Sequence, residues 1–362
     1  MIPRVLILAI GGILIGTPCL GASAAPDSLQ LQSVLDSVRT EMKVPGATAA
    51  LILPDGRVWC GASGVAGING TATCAHAFET GSITKSYTAA LVLSFVAEGR
   101  ISLEDSLTHW MPDFPHARGV TIRHLLQHTS GLYNYSENPD YIPALRNEMF
   151  RVWTPDESFA FMKEPYFAPG AGFHYSNANY LLLGLVCEQI SEKSFPEILR
   201  ERVLAPRGLK NTFFLPSEAA PAMAHAYIDI NDDGTPEDVT AMVQLTAFIT
   251  AAWSAGAVAA TASDLATWIR AYARGEVAPG PLFEDMTRWV DRGDGSYYGM
   301  GLIKKQHGDR TILGHRGASA GFSASAWHAP DVNITVVVLT NGHLKDVDPI
   351  AFALFDAAVR AR

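Results

Sequence analysis

Basic residues are scarce in this chain. It carries 27 Lys and Arg against 36 Asp and Glu, a net charge of −9 over 362 residues, which argues against nucleic acid and anionic membrane surfaces as partners. Charged residues of both signs reach only 17%, while hydrophobic ones make up 48%, so the disordered class is excluded too. A chain of this length has ample core for roughly two domains or one large one. No apolar run is long enough to span a bilayer; Val5 to Ile15, broken by glycines, is too short. With Arg4 before it and Ala22-Ser23-Ala24 after it, that run reads as a secretory signal over residues 1–24 with Ala25 as the mature start. The expected location is periplasmic or secreted, with no stable membrane anchor once the signal is cleaved. Internal repeats and low-complexity tracts are absent. Cysteine is sparse, with three left outside the signal: Cys60, Cys74 and Cys187. Export permits a disulfide. Cys60 and Cys74, close in sequence around a Gly-rich segment, are the expected pair, worth about 3 kcal/mol in the chain-entropy model. Two free thiols are the alternative. Cys187 sits in an apolar helix and reads as a buried free thiol.

What is present divides the chain in three. Leu29, Leu31, Val34, Leu35 and Val38 recur at near-helical spacing within 28–43. Pro45-Gly46 ends that helix, and Pro54-Asp55-Gly56 between Ala47–Leu53 and Arg57–Cys60 signals a hairpin. A helix from about Ser82 to Glu98 follows. Residues 104–274 read as mostly helical, over Thr121–His128, Pro155–Met162, Asn179–Ser191, Pro196–Val203 and Ala262–Ala273. Four strand-like runs come next, Tyr297–Lys304, Arg310–His315, Phe322–His328 and Ile334–Thr340, and then an amphipathic helix over Ile350–Arg360. The expected fold class is α+β: an antiparallel sheet built from 25–103 and 275–362, flanked by the N- and C-terminal helices, with the mostly helical 104–274 inserted.

Three short stretches carry candidate chemistry. In Gly81-Ser82-Ile83-Thr84-Lys85, the i,i+3 spacing stacks Lys85 over Ser82 on one helix face. Helix N-terminal N–H groups favour developing negative charge there, and an adjacent amine can activate a serine without a histidine. The plain reading is a Ser cap followed by a surface lysine. In Tyr175-Ser176-Asn177, on a turn after Gly170-Ala171-Gly172, a phenol can give or take a proton and an amide can hold a substrate amide. The plain reading is a packed loop tyrosine and an Asn cap. In Gly314-His315-Arg316-Gly317-Ala318, a glycine within a strand lets a substrate backbone lie alongside, and free N–H groups at such an edge can complete an oxyanion hole.

In that order, S-x-x-K, Y-x-N and H-x-G resemble the class C β-lactamase and serine DD-peptidase superfamily of penicillin-recognising serine hydrolases. The stretches Phe78–Ser86, Thr121–Leu132 and Trp253–Val258 look like further signatures, and the resemblance covers essentially 28–360. It is closest to the soluble D-alanyl-D-alanine carboxypeptidases, whose third motif begins with His. The resemblance implies that Ser82 attacks a carbonyl to give an acyl-enzyme, that Lys85 and Tyr175 share general-base work, and that the N–H groups of Ser82 and Ala318 form the oxyanion hole. Asn177 would hold the substrate amide, Gly317 would let it approach, and Trp253 would wall the cleft. A tyrosine is a base only beside cations; Lys85 is one, and His315 becomes a second when protonated. No metal or organic cofactor is required.

The pattern departs from those carboxypeptidases at the carboxylate clamp. Gly299-Met300-Gly301-Leu302 is followed by Ile303 where the resemblance calls for arginine, and the hydroxyl positions flanking Gly317 hold Arg316 and Ala318. Arg316 is therefore a candidate substitute anchor, with a surface arginine paired to an acid of the helical domain as the alternative. Asp229–Gly234 resembles half a calcium loop, but position twelve is Thr240 where glutamate is needed; an exposed acidic turn is the plainer reading. Asn69-Gly70-Thr71 and Asn333-Ile334-Thr335 fit the glycosylation sequon. The expected protein is an exported monomeric hydrolase of a small peptide, ester or β-lactam. A D-alanyl-D-alanine carboxypeptidase or D-amino-acid peptidase leads. A serine esterase or amidase of the same fold is the alternative, ahead of a β-lactamase or a non-enzymatic penicillin-binding sensor.

Overall fold

The computed structural model describes residues 27–361 apart from 69, 231–232, 241–244, 279, 343 and 345. The expected signal over 1–24, the sequon asparagine Asn69, and Asn231 and Asp232 of the acidic turn lie outside the described residues. Helix α1 (Ser28–Glu41) starts where the Asp27 carboxylate accepts the Leu29 N–H at 3.0 Å, and it buries Leu31 and Leu35. Strands β1 (Gly46–Ile52), β2 (Val58–Gly67) and β3 (Gly70–Thr71) follow, with the Cys60–Cys74 disulfide formed beside them and Cys187 a buried free thiol. All of β1 is buried because the sheet is covered on both faces. Ala47, Ala49 and Leu51 face one core, Ala50 and Ile52 the other.

Helix α2 (Thr84–Ala97) is apolar nearly all round and is an interior element rather than a surface one. Helices α3 (Asn177–Ser191) and α4 (Thr246–Gly256) pack on it and on each other. Periodicity alone does not distinguish α4, whose Thr246-Ala247-Phe248-Ile249 start is apolar on consecutive residues. Helix α5 (Ala262–Ala273) lies across β1 and the later strands. The sheet layer therefore takes in a helix that the expected boundary at 274 leaves with the helical part.

Strands β4 (Val290–Asp291), β5 (Tyr297–Tyr298), β6 (Ile303–His307), β7 (Arg310–Ser319), β8 (Phe322–Ala329) and β9 (Ile334–Thr340), then helix α6 (Asp348–Arg360), complete the chain. The nine strands form one antiparallel sheet in the order β3-β2-β1-β9-β8-β7-β6-β5-β4. Helices α1 and α6 cover one face; α5 covers the other, with α2 and the helical part beyond it. The fold is α+β, as expected. The single run expected over Tyr297–Lys304 is split into β5 and β6 at Gly299–Leu302. There Gly301 takes φ 68°, and a Cβ would meet the Lys85 carbonyl oxygen at 2.9 Å. Among the described residues no helix is long and apolar enough to cross a membrane.

Candidate active site

The short strand Phe78–Glu79 pairs with Val258–Ala260 and delivers the chain to Gly81 at φ 50°. Only glycine fits there, since a Cβ would sit 2.6 Å from the Ala318 nitrogen. Ser82 follows in one tight 3-10 turn, Gly81–Ile83, which runs into α2. The expected helix thus begins two residues after Ser82, at Thr84. Gly81, Ile83 and Thr84 are buried and Ser82 is not, so the hydroxyl is presented to the cleft.

The second backbone contact comes from β7. A Cβ on Gly317 would come 1.9 Å from the Thr80 carbonyl oxygen and 3.0 Å from the Ser82 nitrogen. Strand β6 pairs with β7 only from Gly314 back to Arg310, so residues 315–319 have an open edge. N–H groups alternate in an antiparallel ladder. Gly314 pairs outward with Ile303, and Arg316 and Ala318 turn the same way. The Ala318 N–H therefore faces the Gly81–Ser82 turn, and with the Ser82 N–H it can hold an oxyanion.

Lys85 is wholly buried one turn above Ser82. Its Nζ lies 2.7 Å from Asn177 Oδ1, 2.9 Å from the Ala255 carbonyl oxygen and 3.2 Å from Ser82 Oγ. Burial holds its pKa well below that of an ordinary lysine. Two acceptors fix two of the N–H bonds of a neutral amine, which leaves its lone pair facing the Ser82 hydroxyl. The arrangement can take the serine proton directly.

Tyr175 and Asn177 arrive on the turn into α3. The Tyr175 ring lies 4.9 Å from Lys85 Nζ. Its hydroxyl is buried with no hydrogen-bond partner among the described residues. Burial pushes the phenol pKa up, while Ser82 and the Arg292 cation pull the other way without reversing the direction. A protonated phenol so placed can relay or donate a proton; it is not a resting phenolate base. Asn177 is tied down by Asn134 Oδ1, which accepts its N–H at 3.1 Å, and by Ser136 Oγ, which accepts from its Nδ2 at 3.1 Å.

His315 differs from expectation. It is buried, and its pKa is pushed down to about 3, first by burial and then by the charges of Arg292 and Arg316, although its bond to the Arg316 carbonyl opposes this. Nδ1 lies 2.5 Å from that carbonyl oxygen, so Nδ1 carries the proton and donates it, and Nε2 accepts from the Tyr298 hydroxyl at 3.2 Å. The imidazole is neutral and cannot be the second cation.

That cation is Arg292, which the motifs do not reveal because it lies between them in a Gly-rich hairpin. Its guanidinium stands 5.7 Å from the Phe173 ring centre and 6.0 Å from that of Tyr298. Its field reaches Tyr175, His128 and His315. Its Nη2 faces Asp294 at 3.5 Å.

Two further expectations are corrected. Arg316 points from the other face of β7 and pairs with Asp346 at 3.1 Å and Asp348 at 3.7 Å, at the start of α6. Strand alternation sends it away from His315, so it is a surface arginine and not a substrate anchor, and the acids that pair with it belong to the sheet part and not, as the alternative reading has it, to the helical domain. Trp253 does not wall the site. Its backbone is kinked at φ 35°, and its ring packs on Phe195 at 5.3 Å and over Gly184 in the helical core. What this segment contributes to the site is the Ala255 carbonyl beside Lys85. Ile303 is buried in the core under α1 and α6, which leaves the clamp position apolar. In the acidic turn, Asp229 accepts the N–H groups of Asp233 and Gly234. Among the described residues no group of three or more His, Cys, Asp or Glu is arranged to hold a metal.

Comparison with known proteins fits this geometry. The family model described as "Beta-lactamase" matches residues 32–359. Penicillin-binding protein 4* of Bacillus subtilis is 26% identical over 287 residues, covering 73% of this chain and 60% of that protein. A D-aminopeptidase of Brucella anthropi is 26% identical over 283 residues, covering 77% and 52%. The chain thus spans between half and two thirds of the length of these relatives. Among solved structures, a D-stereospecific amidohydrolase from Streptomyces sp. superposes with a TM-score of 0.80 at 29% identity, over 91% of this chain and 99% of that one.

Proposed function

The chain belongs to the beta-lactamase family and is a serine hydrolase, and from that premise we propose that it opens D-amino-acid amides and short D-peptides through an acyl-enzyme on Ser82. The observation that carries the mechanism is the placement of Lys85 Nζ between Asn177, Ala255 and Ser82. Neutral Lys85 takes the Ser82 proton as Oγ bonds the substrate carbonyl carbon. The resulting oxyanion is held by the N–H groups of Ser82 and Ala318. The C–N bond then breaks, and the leaving nitrogen takes its proton from the Lys85–Tyr175 pair. Water, deprotonated by the same pair, cleaves the acyl-enzyme and releases the acid.

The choice of substrate rests on what flanks the serine. The arginine of a carboxylate clamp is replaced by buried Ile303, and Arg316 is held by Asp346 and Asp348; both weigh against a carboxypeptidase. A carboxylate, Glu137, is linked to the site through Asn134. Burial acts to raise the pKa of Glu137, but hydrogen bonds from Tyr166, Asn134 and His174 outweigh it and keep the group ionised. Asn134 and Ser136 join it to Asn177. A substrate ammonium suits that charge, and the names of the D-aminopeptidase and D-stereospecific amidohydrolase relatives agree. The enzyme works without a cofactor, as an exported, periplasmic or secreted monomer; the Cys60–Cys74 disulfide and the leader-like residues 1–24 support export.

A serine esterase is the second reading, favoured by the same apolar Ile303. Turnover of D-alanine p-nitroanilide, an N-acylated D-Ala-D-Ala peptide, p-nitrophenyl acetate and nitrocefin, measured together, decides. The free-amine D-anilide is expected to have the highest kcat/KM of the amides, with the L-anilide far behind. Preference for the N-acylated dipeptide would restore the carboxypeptidase, and activity on the acetate alone would establish the esterase.

A further inference from the structure

His128 takes no part in the chemistry above, yet three of the site's aromatic rings surround it. The ring centre lies 4.2 Å from Tyr175, 4.7 Å from Tyr298 and 5.2 Å from Tyr180. The side chain is completely buried, and the backbone sits at φ 58°, a left-handed conformation that a non-glycine residue adopts at a cost. Its carbonyl oxygen accepts the His174 N–H at 3.0 Å. Its Nδ1 faces the Ser176 N–H at 3.2 Å and Asn179 Nδ2 at 3.1 Å. Asn179 Oδ1 is committed to accepting from Ser130 Oγ, which fixes the amide's orientation and makes Nδ2 the donor. Two donors at Nδ1 put the ring's proton on Nε2, and Nε2 has no hydrogen-bond partner among the described residues.

We propose that His128 is the positioning residue of the site: one side chain and its own carbonyl hold the residues on both sides of Tyr175, and its ring sets the plane against which the phenol rests. Burial above all, with the charge of Arg292 acting the same way, keeps the imidazole neutral, so Nδ1 stays an acceptor. The dependence is strong because no hydrogen bond of normal geometry anchors the Tyr175 hydroxyl among the described residues, and the polar group acting on it is Ser82, the nucleophile it must serve. The phenol is placed by its main chain and by ring packing, and His128 contributes to both, alongside Tyr298 and Lys85 at the ring and Asn134 at the turn. A buried histidine kept merely as filling would not leave Nε2 unpaired, an expense of polar burial that an apolar side chain avoids. What a leucine or phenylalanine lacks is the Nδ1 acceptor. The proposal rests on Ser82, Lys85 and Tyr175 being the working groups and not on the identity of the substrate.

The test compares His128→Asn, His128→Leu and His128→Phe in the full-length protein. Asparagine keeps an acceptor where Nδ1 stands and tolerates the left-handed backbone. Hydrolysis of p-nitrophenyl acetate gives kcat and KM, and fluorophosphonate titration counts reactive Ser82. His128→Leu and His128→Phe are expected to lower kcat about a hundredfold, the size of effect that follows from misplacing a working group by about 1 Å, with KM changed less than threefold. His128→Asn is expected to stay within about tenfold of wild type. A cooperatively melting Leu or Phe variant with kcat near wild type would overturn the proposal. So would a folded Asn variant as impaired as the apolar pair. Failure of both apolar variants to fold would assign His128 to stability alone and overturn it too. If the underlying reading were wrong, the wild-type protein itself would escape labelling at Ser82, which no variant result can imitate.

Discussion

Lys85 Nζ lies closer to Asn177 Oδ1, at 2.7 Å, than to Ser82 Oγ, at 3.2 Å. The amide therefore sets both the direction and the charge of the amine. Replacing Asn177 by aspartate places a carboxylate in the same spot, which favours the ammonium form and raises the Lys85 pKa. Lys85 acts as a base only when neutral, so the acid limb of kcat/KM against pH should move up by about one unit or more. Asn177→Ala removes the acceptor without adding charge and should lower kcat about a hundredfold with a smaller shift of that limb. An Asn177→Asp profile that overlays the wild type would mean that a group other than Lys85 titrates in the limb.

His315 makes a prediction opposite to the one its sequence position suggests. With a folded pKa of about 3 against about 6.5 when unfolded, it is neutral throughout the working range and gives no limb near neutrality. Its imidazole resonances should not titrate above pH 5. The linkage runs the same way. The unfolded chain binds this proton more tightly, so the contribution to stability is complete above about pH 6.5 and is lost as pH falls toward 3. A ring titrating near pH 6.5 in the folded protein would show that it is hydrated and charged after all.

Ser82, Lys85, Tyr175 and the glycines of the third stretch were legible because each sits in a short local pattern whose spacing is itself the mechanism. The hairpin around Pro54-Asp55-Gly56 and the leucines of α1 were legible for the same reason. Arg292 and His128 were not. One reaches the site from a hairpin between motifs, the other from a left-handed position at the end of a short helix, and both contacts are made in space. The charge of His315 could not be read either, because it depends on burial under Tyr298 and Tyr175 and not on its neighbours along the strand. Arg316 was misassigned through the same gap: the acids that hold it lie 30 and 32 residues further on, at the start of α6.

Glu79, three residues before the nucleophile, is a buried carboxyl whose pKa is raised to about 7, mainly by burial and against a hydrogen bond from Ser319. The folded state holds this proton more tightly than the unfolded chain. The cost is absent below about pH 4.5, grows as pH rises, and is complete above about pH 7, where it reaches about 3 kcal/mol. Glu79→Gln should therefore raise the melting temperature at pH 8 and leave it nearly unchanged at pH 4.5. Equal melting curves at both pH values would mean that the carboxylate is solvated or paired in solution.

The two arginines near the third stretch should separate cleanly. Arg316 is about half exposed and pairs with Asp346 and Asp348 on the face away from Ser82. An exposed pair is worth up to about 1 kcal/mol, so Arg316→Ala should lower stability slightly and change kcat/KM by less than twofold on any substrate. Arg292 stands on the site side, over Phe173 and Tyr298, with its Nε buried and without a partner among the described residues. Asp294 at 3.5 Å is more than half exposed and offsets its charge only in part. The remaining positive field should favour substrates that bring a negative charge to this edge. A D-alanine anilide with a carboxylate on the ring, compared with the unsubstituted anilide, reads that field directly. Arg292→Gln should lower kcat/KM for the charged anilide about tenfold more than for the neutral one, the factor that 1.4 kcal/mol provides, and added salt should shrink the difference in the wild type. If Arg316→Ala were the variant to lose the charged substrate selectively, the guanidinium of Arg316 would have to leave its acids and cross the strand edge, and the assignment of the two residues would be reversed.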